Sequence, residues 1–131
     1  MTDLEHPFMV SLSNALNAPG RATRIFRQNA GKVLVRDAGG RVDRCILGAP
    51  AGAADLSGIV APEGWRLEVE TKASGGRVRP AQKRWQHFIE RSGGIYVLIE
   101  RDDGAPLAAN IGRAVCAIDT AIAARRERAA A

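Results

Sequence analysis

The sequence predicts a single α/β domain over residues 1–131, with a mixed central sheet flanked by helices. Three observations lead to this prediction. Short segments with apolar residues at alternate positions are joined by glycine-containing turns, which is typical of antiparallel hairpins. One segment with apolar residues at helical spacing connects two predicted strands, which indicates a parallel crossover. The length of 131 residues and the hydrophobic share of 46% allow one core of modest size.

The first half of the chain is predicted to contain a helix and two hairpins. Apolar side chains recur at helical spacing over residues 5–17, and a Pro-Gly pair ends that helix. Turns at residues 37–40 and 62–64 join the strands of the two hairpins. Small residues at 48–52 allow the backbone to approach either a bound phosphate or another strand. The predicted strands are 32–36, 41–47, 56–60 and 65–71.

The second half of the chain is predicted to continue with helix, strand and helix. A proline begins the helix predicted over residues 81–91. The strand at residues 95–100 is apolar on both faces, which predicts an interior strand parallel to the strand before the helix. A last helix ends in a run of arginines, which suit a helix C-terminus. The core residues predicted on the middle helix are Trp85, Phe88 and Ile89.

The charge balance favours a polyanionic partner. Nineteen Lys and Arg against 14 Asp and Glu leave a net charge of +5. If several acids are gathered in one site, the remaining surface is more basic than this total, which favours binding of nucleic acid. The alternative is a basic soluble protein without such a partner.

Two features predict a reducing, cytoplasmic environment. Cys45 and Cys116 lie in apolar surroundings without metal-ligand spacing, which predicts reduced thiols in the core. No apolar run of about 18 residues occurs, and Asp3 and Glu5 stand where a signal sequence would be basic. We therefore expect no association with a membrane.

Charged residues follow one face of the strand predicted at residues 65–71. Because strand side chains alternate, Glu68, Glu70 and Lys72 point the same way. Asp55 stands at the start of the neighbouring strand and joins this face if the two segments pair. Clustered carboxylates repel each other unless a cation or a substrate compensates their charge. The pattern is therefore that of a magnesium-dependent phosphodiester site.

The candidate site residues have distinct expected roles. Asp55 and Glu70 would hold Mg²⁺ or Mn²⁺, with the backbone carbonyl of Thr71 as a further ligand. Lys72 would orient or help deprotonate the attacking water, or stabilise charge on the phosphate. Glu68 lies ~7 Å from Glu70 along the strand and is left as an outer-sphere or second-metal residue. The alternative is a surface hairpin with weak Glu–Lys pairs across its strands.

Two further polar residues are candidates from the helices. Gln82 lies at the leading edge of a buried helix face, which is unusual for a polar side chain without a partner. Glu5 is either an accessory acid of the site or a first-turn residue favoured by the helix dipole.

Asp55, Glu68, Glu70 and Lys72 are called the acidic cluster below. Basic residues outside this cluster are candidates for binding phosphates. The segment at residues 21–32 is either a phosphate-binding stretch or a connector whose Ile25 and Phe26 fill the core. A flexible basic loop precedes the helix at residues 81–91. The candidates for nucleic-acid binding are Arg24, Arg27, Lys32, Arg77, Arg79 and Lys83.

The order of these motifs resembles the VRR-NUC family of the PD-(D/E)XK nucleases, which is common in phages. The resemblance covers residues 24–101 and rests on Gly-x-x-Asp-Leu-x-Gly, Glu-Val-Glu-Thr-Lys, a helix glutamine and Gly-Gly-Ile-Tyr-Val-Leu-Ile. A basic Arg-x-Asn-x-Gly segment at residues 27–31 also resembles phage members. By this resemblance Asp55, Glu70 with Lys72, and Gln82 match the family's catalytic motifs.

The chain departs from the family pattern at three positions. Ala54 replaces a common proline, Arg79 replaces a common serine, and Glu5 does not clearly match the glutamate of the first helix. The first two departures change no ligand. The third puts one accessory metal ligand in question.

The resemblance implies a restriction-endonuclease-like fold and a metal-dependent DNA endonuclease that hydrolyses phosphodiester bonds. It also implies a preference for branched, flapped or junction DNA, and a phage or bacterial protein in the host cytoplasm. Family members of this size often form homodimers, and the last helix either supplies an interface or packs in the core. The alternative function is a nucleic-acid-binding or packaging accessory protein with the fold but little activity, and a weaker one is a structural subunit of a phage assembly.

Overall fold

The computed structural model describes residues 3–29 and 31–131. Its regular elements agree closely with the predicted bounds, apart from one additional strand near the start. The elements are α1 (Glu5–Leu16), β1 (Thr23–Arg27), β2 (Lys32–Arg36), β3 (Val42–Leu47), β4 (Leu56–Val60), β5 (Trp65–Ala73), α2 (Pro80–Arg91), β6 (Ile95–Arg101) and α3 (Leu107–Ala130).

A mixed four-stranded sheet forms the centre of the molecule, with strand order β1-β4-β5-β6. β4 pairs antiparallel with both β1 and β5, whereas β5 and β6 are parallel and are connected through α2. The predicted α/β class and the parallel crossover are therefore confirmed. The interior position predicted for β6 is wrong, because β6 is an edge strand. Ile95, Val97 and Ile99 are buried in the core with residues of α3, whereas Leu98 on the other face is 45% exposed although α2 also contacts this strand.

The additional strand is β1, in a segment for which the sequence predicts a basic connector or a phosphate-binding stretch. Thr23 and Ile25 are buried, whereas Arg24 and Phe26 are exposed. Ile25 enters the core as the connector interpretation expects. Phe26 does not, because it lies on the opposite face of the sheet and is 61% exposed.

The main core lies between the sheet and the two helices α1 and α3. Apolar side chains from one face of every strand of the sheet meet the buried faces of these helices. Each large side chain removed from water in this way contributes about 1.5–3 kcal/mol. The fully buried residues of α1 and the sheet include Phe8, Leu12, Leu16, Leu56, Val60, Leu67 and Val69.

The opposite face of the sheet carries α2. Ile89 is buried there and Trp85 is half-buried, but Phe88 is 46% exposed, so its predicted core position is wrong. Phe88 instead stacks on Trp85 with 5.7 Å between the ring centroids. The guanidinium of Arg91 lies over the Phe88 ring, 5.4 Å from its centroid.

The hairpin formed by β2 and β3 pairs separately from the main sheet. Val33, Leu34, Ile46 and Leu47 are exposed on it, because no layer of the described residues covers either face. Cys45 on this hairpin is exposed for the same reason, and Cys116 is exposed on α3. The predicted burial of both thiols is wrong.

Helix α3 is long and apolar enough to cross a membrane, judged by length and composition alone, with a mean hydropathy of 1.3 over 18 residues. Its buried positions Asn110, Ala114, Ile118 and Ile122 recur every four residues. This spacing gives one apolar stripe, which packs against β6 and α1.

Candidate active site

Asp55 and Glu70 face each other at the end of the β4–β5 ladder. Leu56 pairs with Val69, so the preceding Asp55 lies opposite Glu70. The backbone N–H of Asp55 donates to Oε2 of Glu70 at 3.2 Å. The strand register therefore brings the two carboxylates together, as the alternation of the sequence predicts.

The Asp55 carboxylate is held from one side by Thr71. Its Oδ2 accepts from the backbone N–H of Thr71 at 2.8 Å and from the Thr71 hydroxyl at 2.9 Å. These bonds fix the direction of the carboxylate. Its other oxygen, Oδ1, receives no hydrogen bond from the residues that the structure describes.

Glu70 is 3% exposed and has donors of two kinds. Oε1 accepts from Nε2 of Gln82 at 2.8 Å and lies 3.3 Å from Nζ of Lys72. Burial and the neighbouring charge of Asp55 raise the pKa of Glu70 to about 7, although Lys72 opposes both effects. The protein thus keeps a carboxylate where its negative charge is incompletely compensated.

Gln82 reaches Glu70 because its helix begins beside the site. Pro80 occupies the first turn of α2, and Oε1 of Gln82 accepts from the backbone N–H of Arg79 at 2.9 Å. This bond orients the Gln82 amide so that its oxygen faces Arg79 and its Nε2 faces Glu70. The partner expected for a polar residue at this position is therefore a site carboxylate.

Gly52 allows the loop before Asp55 to pack against the first turn of α2. It has a φ of +87°, and an added Cβ would collide with the backbone carbonyl of Ala81. Both facts require glycine there. The close approach predicted for the small residues is thus to a helix, and it sets Asp55 relative to Gln82.

Glu68 lies on the same face but faces only protein donors. Its carboxylate is fully buried and accepts from Nε2 of Gln28 at 3.0 Å and from Nε1 of Trp85 at 2.9 Å. Nη2 of Arg66 lies 3.4 Å from it. Glu68 therefore connects β5 to α2 and to the segment after β1. A sequence feature that indicates this role of Glu68 is the indole N–H of Trp85, because an indole that packs against the sheet requires a hydrogen-bond acceptor.

Glu5 is not brought into the acidic cluster. It lies exposed in the first turn of α1, where its backbone N–H donates to Asp3. In the described part of the chain, the Glu5 side chain makes no hydrogen bond or ion pair with Asp55 or Glu70. The first-turn interpretation fits this position better than the accessory-acid interpretation.

The predicted phosphate-binding residues are all exposed, but they lie in three places. Arg77, Arg79 and Lys83 flank Gln82 on the loop and first turns of α2. Arg24 and Arg27 lie on β1, and Lys32 begins β2. The first group borders the acidic cluster most directly, since Gly76 packs against the Lys72 side chain.

The donor set suits a hard divalent cation. Asp55 and Glu70 supply carboxylate oxygens, and the Thr71 backbone lies beside them. No group of three or more His, Cys, Asp and Glu with metal-binding geometry occurs in the described part of the chain. The protein would therefore supply only part of the coordination, as is usual for Mg²⁺ sites that keep several waters and bind substrate phosphate.

Comparison of the chain with known protein families finds no matching family model, and comparison with curated proteins finds no significant match. The resemblance to VRR-NUC therefore rests on the order of the motifs within the chain.

Proposed function

We propose that the protein is a Mg²⁺- or Mn²⁺-dependent DNA endonuclease of the restriction-endonuclease-like fold, similar to VRR-NUC nucleases. One observation carries the proposal. Glu70 is 3% exposed and lies beside Asp55, and this burial and the Asp55 charge raise its pKa to about 7 although Lys72 is 3.3 Å away. A buried, mutually repelling carboxylate pair costs stability, and a bound cation removes that cost.

Each residue would have a separate task in hydrolysis. Asp55, Glu70 and the Thr71 carbonyl would hold the metal ion, which lowers the pKa of water and polarises the phosphate when bound. The Lys72 ammonium, 3.3 Å from Glu70, orients the attacking water or stabilises charge on the phosphate oxygens. Water attacks phosphorus and gives up one proton, the bond from phosphorus to the leaving oxygen breaks, and the leaving oxygen takes up one proton, so that each cut consumes one water molecule. Gln82 keeps Glu70 in the ligand orientation.

DNA is the proposed substrate, in the cytoplasm of a bacterial host. The net charge of +5 and the exposed basic residues around the acidic cluster support binding of a phosphate backbone. Branched, flapped and junction structures are the preferred forms that the family resemblance suggests.

A homodimer would most readily use the β2–β3 hairpin. The apolar stripe of α3 is buried in the core, which supports the packing interpretation of that helix. The hairpin instead leaves Val33, Ile46 and Leu47 exposed. An isolated two-stranded hairpin is only marginally stable, so contact with a second copy would stabilise it.

A second candidate function is a DNA-binding accessory protein with little activity. The specific observation in its favour is the ligand count. Glu68 is occupied by protein donors and Glu5 lies outside the cluster, which leaves two carboxylates. Such a protein would bind DNA without metal and would tolerate Glu70→Ala.

The deciding experiment is incubation with linear, nicked, flapped and four-way-junction DNA in the presence of Mg²⁺ or Mn²⁺. We expect cleavage by the wild type, loss in Asp55→Ala and Lys72→Ala, and wild-type activity in Asp43→Ala on the exposed hairpin. Equal cleavage by all variants would show that another site is responsible. DNA binding without any cleavage would favour the accessory protein. Calorimetry with Mg²⁺ alone tests the metal site independently.

A further inference from the structure

A second set of residues lies on the same sheet face as the acidic cluster, further along the strands. The register aligns Phe26, Ser57 and Glu68 across β1, β4 and β5. Two residues further from the cluster it aligns Arg24, Ile59 and Arg66. Antiparallel partners point to the same face, so these two rows form one continuous surface.

This surface is open where it crosses β1 and β4. Phe26 is 61% exposed and Ile59 is 49% exposed, whereas Ser57 between them is buried and forms a floor. The β1–β4 side of this face is open because α2 packs over the other side, on β6 and next to Glu68. The result is a cleft of about 490 Å³ whose rim carries Arg24 and Arg66.

The cleft continues towards the acidic cluster. A neighbouring cavity of about 620 Å³ shares Phe26 and Arg66 with it and extends past Gln28 and Trp85 to the hairpin. We call the first cleft, together with the part of the second cavity between Phe26 and Gln28, the Phe26 groove. The far end of the second cavity, lined by Val33, Ile46 and Leu47, belongs to the hairpin surface proposed for the homodimer and is not part of the groove. Gln28 follows the last residue of β1, ~7 Å along an extended chain from Phe26, and lines the second cavity. Its backbone N–H donates to the carbonyl of Asp55, so this part of the groove is one hydrogen bond away from the Asp55 backbone.

The groove combines an exposed aromatic ring with guanidinium groups. Both Arg24 and Arg66 are exposed, and Arg66 is oriented by its contact with Glu68 at 3.4 Å. Aromatic rings flanked by cations are the usual platform for unpaired nucleotides, because the base stacks and the phosphates meet the cations. Bases in a duplex are already stacked on each other and cannot use the ring in this way.

We propose that the Phe26 groove binds an unpaired DNA strand, with a base stacked on Phe26 and adjacent phosphates on Arg24 and Arg66. The strand then runs towards Asp55 and Glu70. This inference rests on the proposed function and narrows its substrate to DNA that carries a single-stranded segment next to the cut site.

A second copy of the chain fits the centre of this groove less well. In a two-fold symmetric contact the same surface meets itself, so the two guanidiniums of one copy would be brought close to the two of the other. Like charges placed opposite each other oppose association. A DNA strand carries the opposite charge and suits the same surface.

The test is fluorescence anisotropy of the 131-residue chain with a labelled single strand and with a blunt duplex of equal length, in EDTA. Phe26→Ala should weaken single-strand binding about tenfold and duplex binding less than twofold. Leu107→Ala, which removes an exposed apolar side chain at the start of α3 outside both cavities, should change neither. Phe26→Trp should restore single-strand binding. Phe26→Leu keeps an apolar side chain on the strand and should match Phe26→Ala.

The two arginines have a separate signature. Arg24→Gln with Arg66→Gln should reduce the dependence of log K on log salt for the single strand by about 1.4, from two phosphate contacts at about 0.7 each. An unchanged slope, or equal losses of single-strand and duplex binding in Phe26→Ala, would overturn the proposal. A wild-type dimer that Phe26→Ala converts to a monomer would overturn it in favour of a second copy.

Failure of the groove and failure of the nuclease give different results. Binding in EDTA requires no cleavage, so selective single-strand binding by an inactive wild type refutes only the nuclease and supports the groove. An active wild type whose single-strand affinity is unaffected by Phe26→Ala refutes only the groove.

Discussion

Glu68 and Glu70 lie two residues apart on the same face of β5, and both are buried, yet their carboxylates have different neighbours. Glu68 accepts hydrogen bonds from Gln28, Trp85 and Arg66. Glu70 also accepts from Gln82 and from the backbone N–H of Asp55, but burial and the neighbouring Asp55 carboxylate raise its pKa to about 7. A carboxylate surrounded by donors holds a fold together, whereas one placed against another carboxylate costs stability until a cation binds.

The largest expected effect concerns activity. Glu70→Gln keeps the size of the side chain but replaces the charged carboxylate that would bind the metal by a neutral amide. The cleavage rate should therefore fall by at least about 100-fold. Glu68→Gln leaves Asp55, Glu70 and Lys72 in place and should retain more than a tenth of the activity at a temperature where it is folded. Rates are measured on flapped DNA with Mg²⁺. Equal losses in the two variants would remove the functional distinction between them.

Stability should respond in the opposite order. Glu68→Ala leaves the Trp85 indole and the Gln28 amide without their acceptor, and should lower the free energy of unfolding by about 3–5 kcal/mol. Glu70→Ala removes a carboxylate that is repelled by Asp55 and should cost less. Urea unfolding at pH 7 measures both, with Asp43→Ala as an exposed acidic control. The comparison fails if Glu70→Ala is the more damaging change.

The pH dependence of stability should separate Glu70 from the other acids. Its pKa rises from 4.5 to about 7 on folding, so the folded state is favoured below pH 4.5, and that advantage is lost as the pH rises through 7. Between pH 5 and 8 the wild type should lose on the order of 1–3 kcal/mol relative to Glu70→Gln. Thermal melts of both proteins without metal give this difference. A difference that is independent of pH contradicts the raised pKa.

Mg²⁺ should reverse this loss at pH 8. Binding to the folded state raises the melting temperature as the ratio of ligand concentration to Kd increases. The wild type should gain about 2–3 kcal/mol at a hundredfold excess over Kd, and Glu70→Gln should gain little. Ca²⁺ in place of Mg²⁺ tests whether the effect requires a small octahedral ion. Equal stabilisation of both proteins would indicate general screening by salt.

The strands and helices could be predicted because their signals are local. Alternation and glycine turns fixed β4 and β5, and the helix register directed Gln82 towards Glu70. β1 is not predictable in this way, because only Thr23 and Ile25 mark its buried face and two of its five residues are arginines. The exposure of Phe26 and Cys45 could not be predicted, since it depends on where α2 packs and on the separate position of the hairpin.

The division between Glu68 and Glu70 was only partly accessible to sequence. Strand spacing and the family pattern favoured Glu70 as the ligand. Arg66 is two positions from Glu68, but the other two donors, Trp85 and Gln28, lie 17 and 40 positions away in the chain. Such contacts are set by tertiary structure, so the sequence left Glu68 with a metal-related role that the geometry does not favour.

The smallest effect on the free energy of unfolding is expected when a single hydrogen bond to Glu68 is removed. Trp85→Phe deletes the indole N–H that lies 2.9 Å from its carboxylate and keeps an aromatic ring over the sheet. The cost should be about 1–3 kcal/mol, because a charged acceptor loses one of its donors while Gln28 and Arg66 remain. Urea unfolding of Trp85→Phe, Glu68→Gln and the double variant measures the coupling between the two residues. A coupling energy of at least about 0.5 kcal/mol is expected for groups in contact, and additive effects would show that Trp85 acts through packing alone.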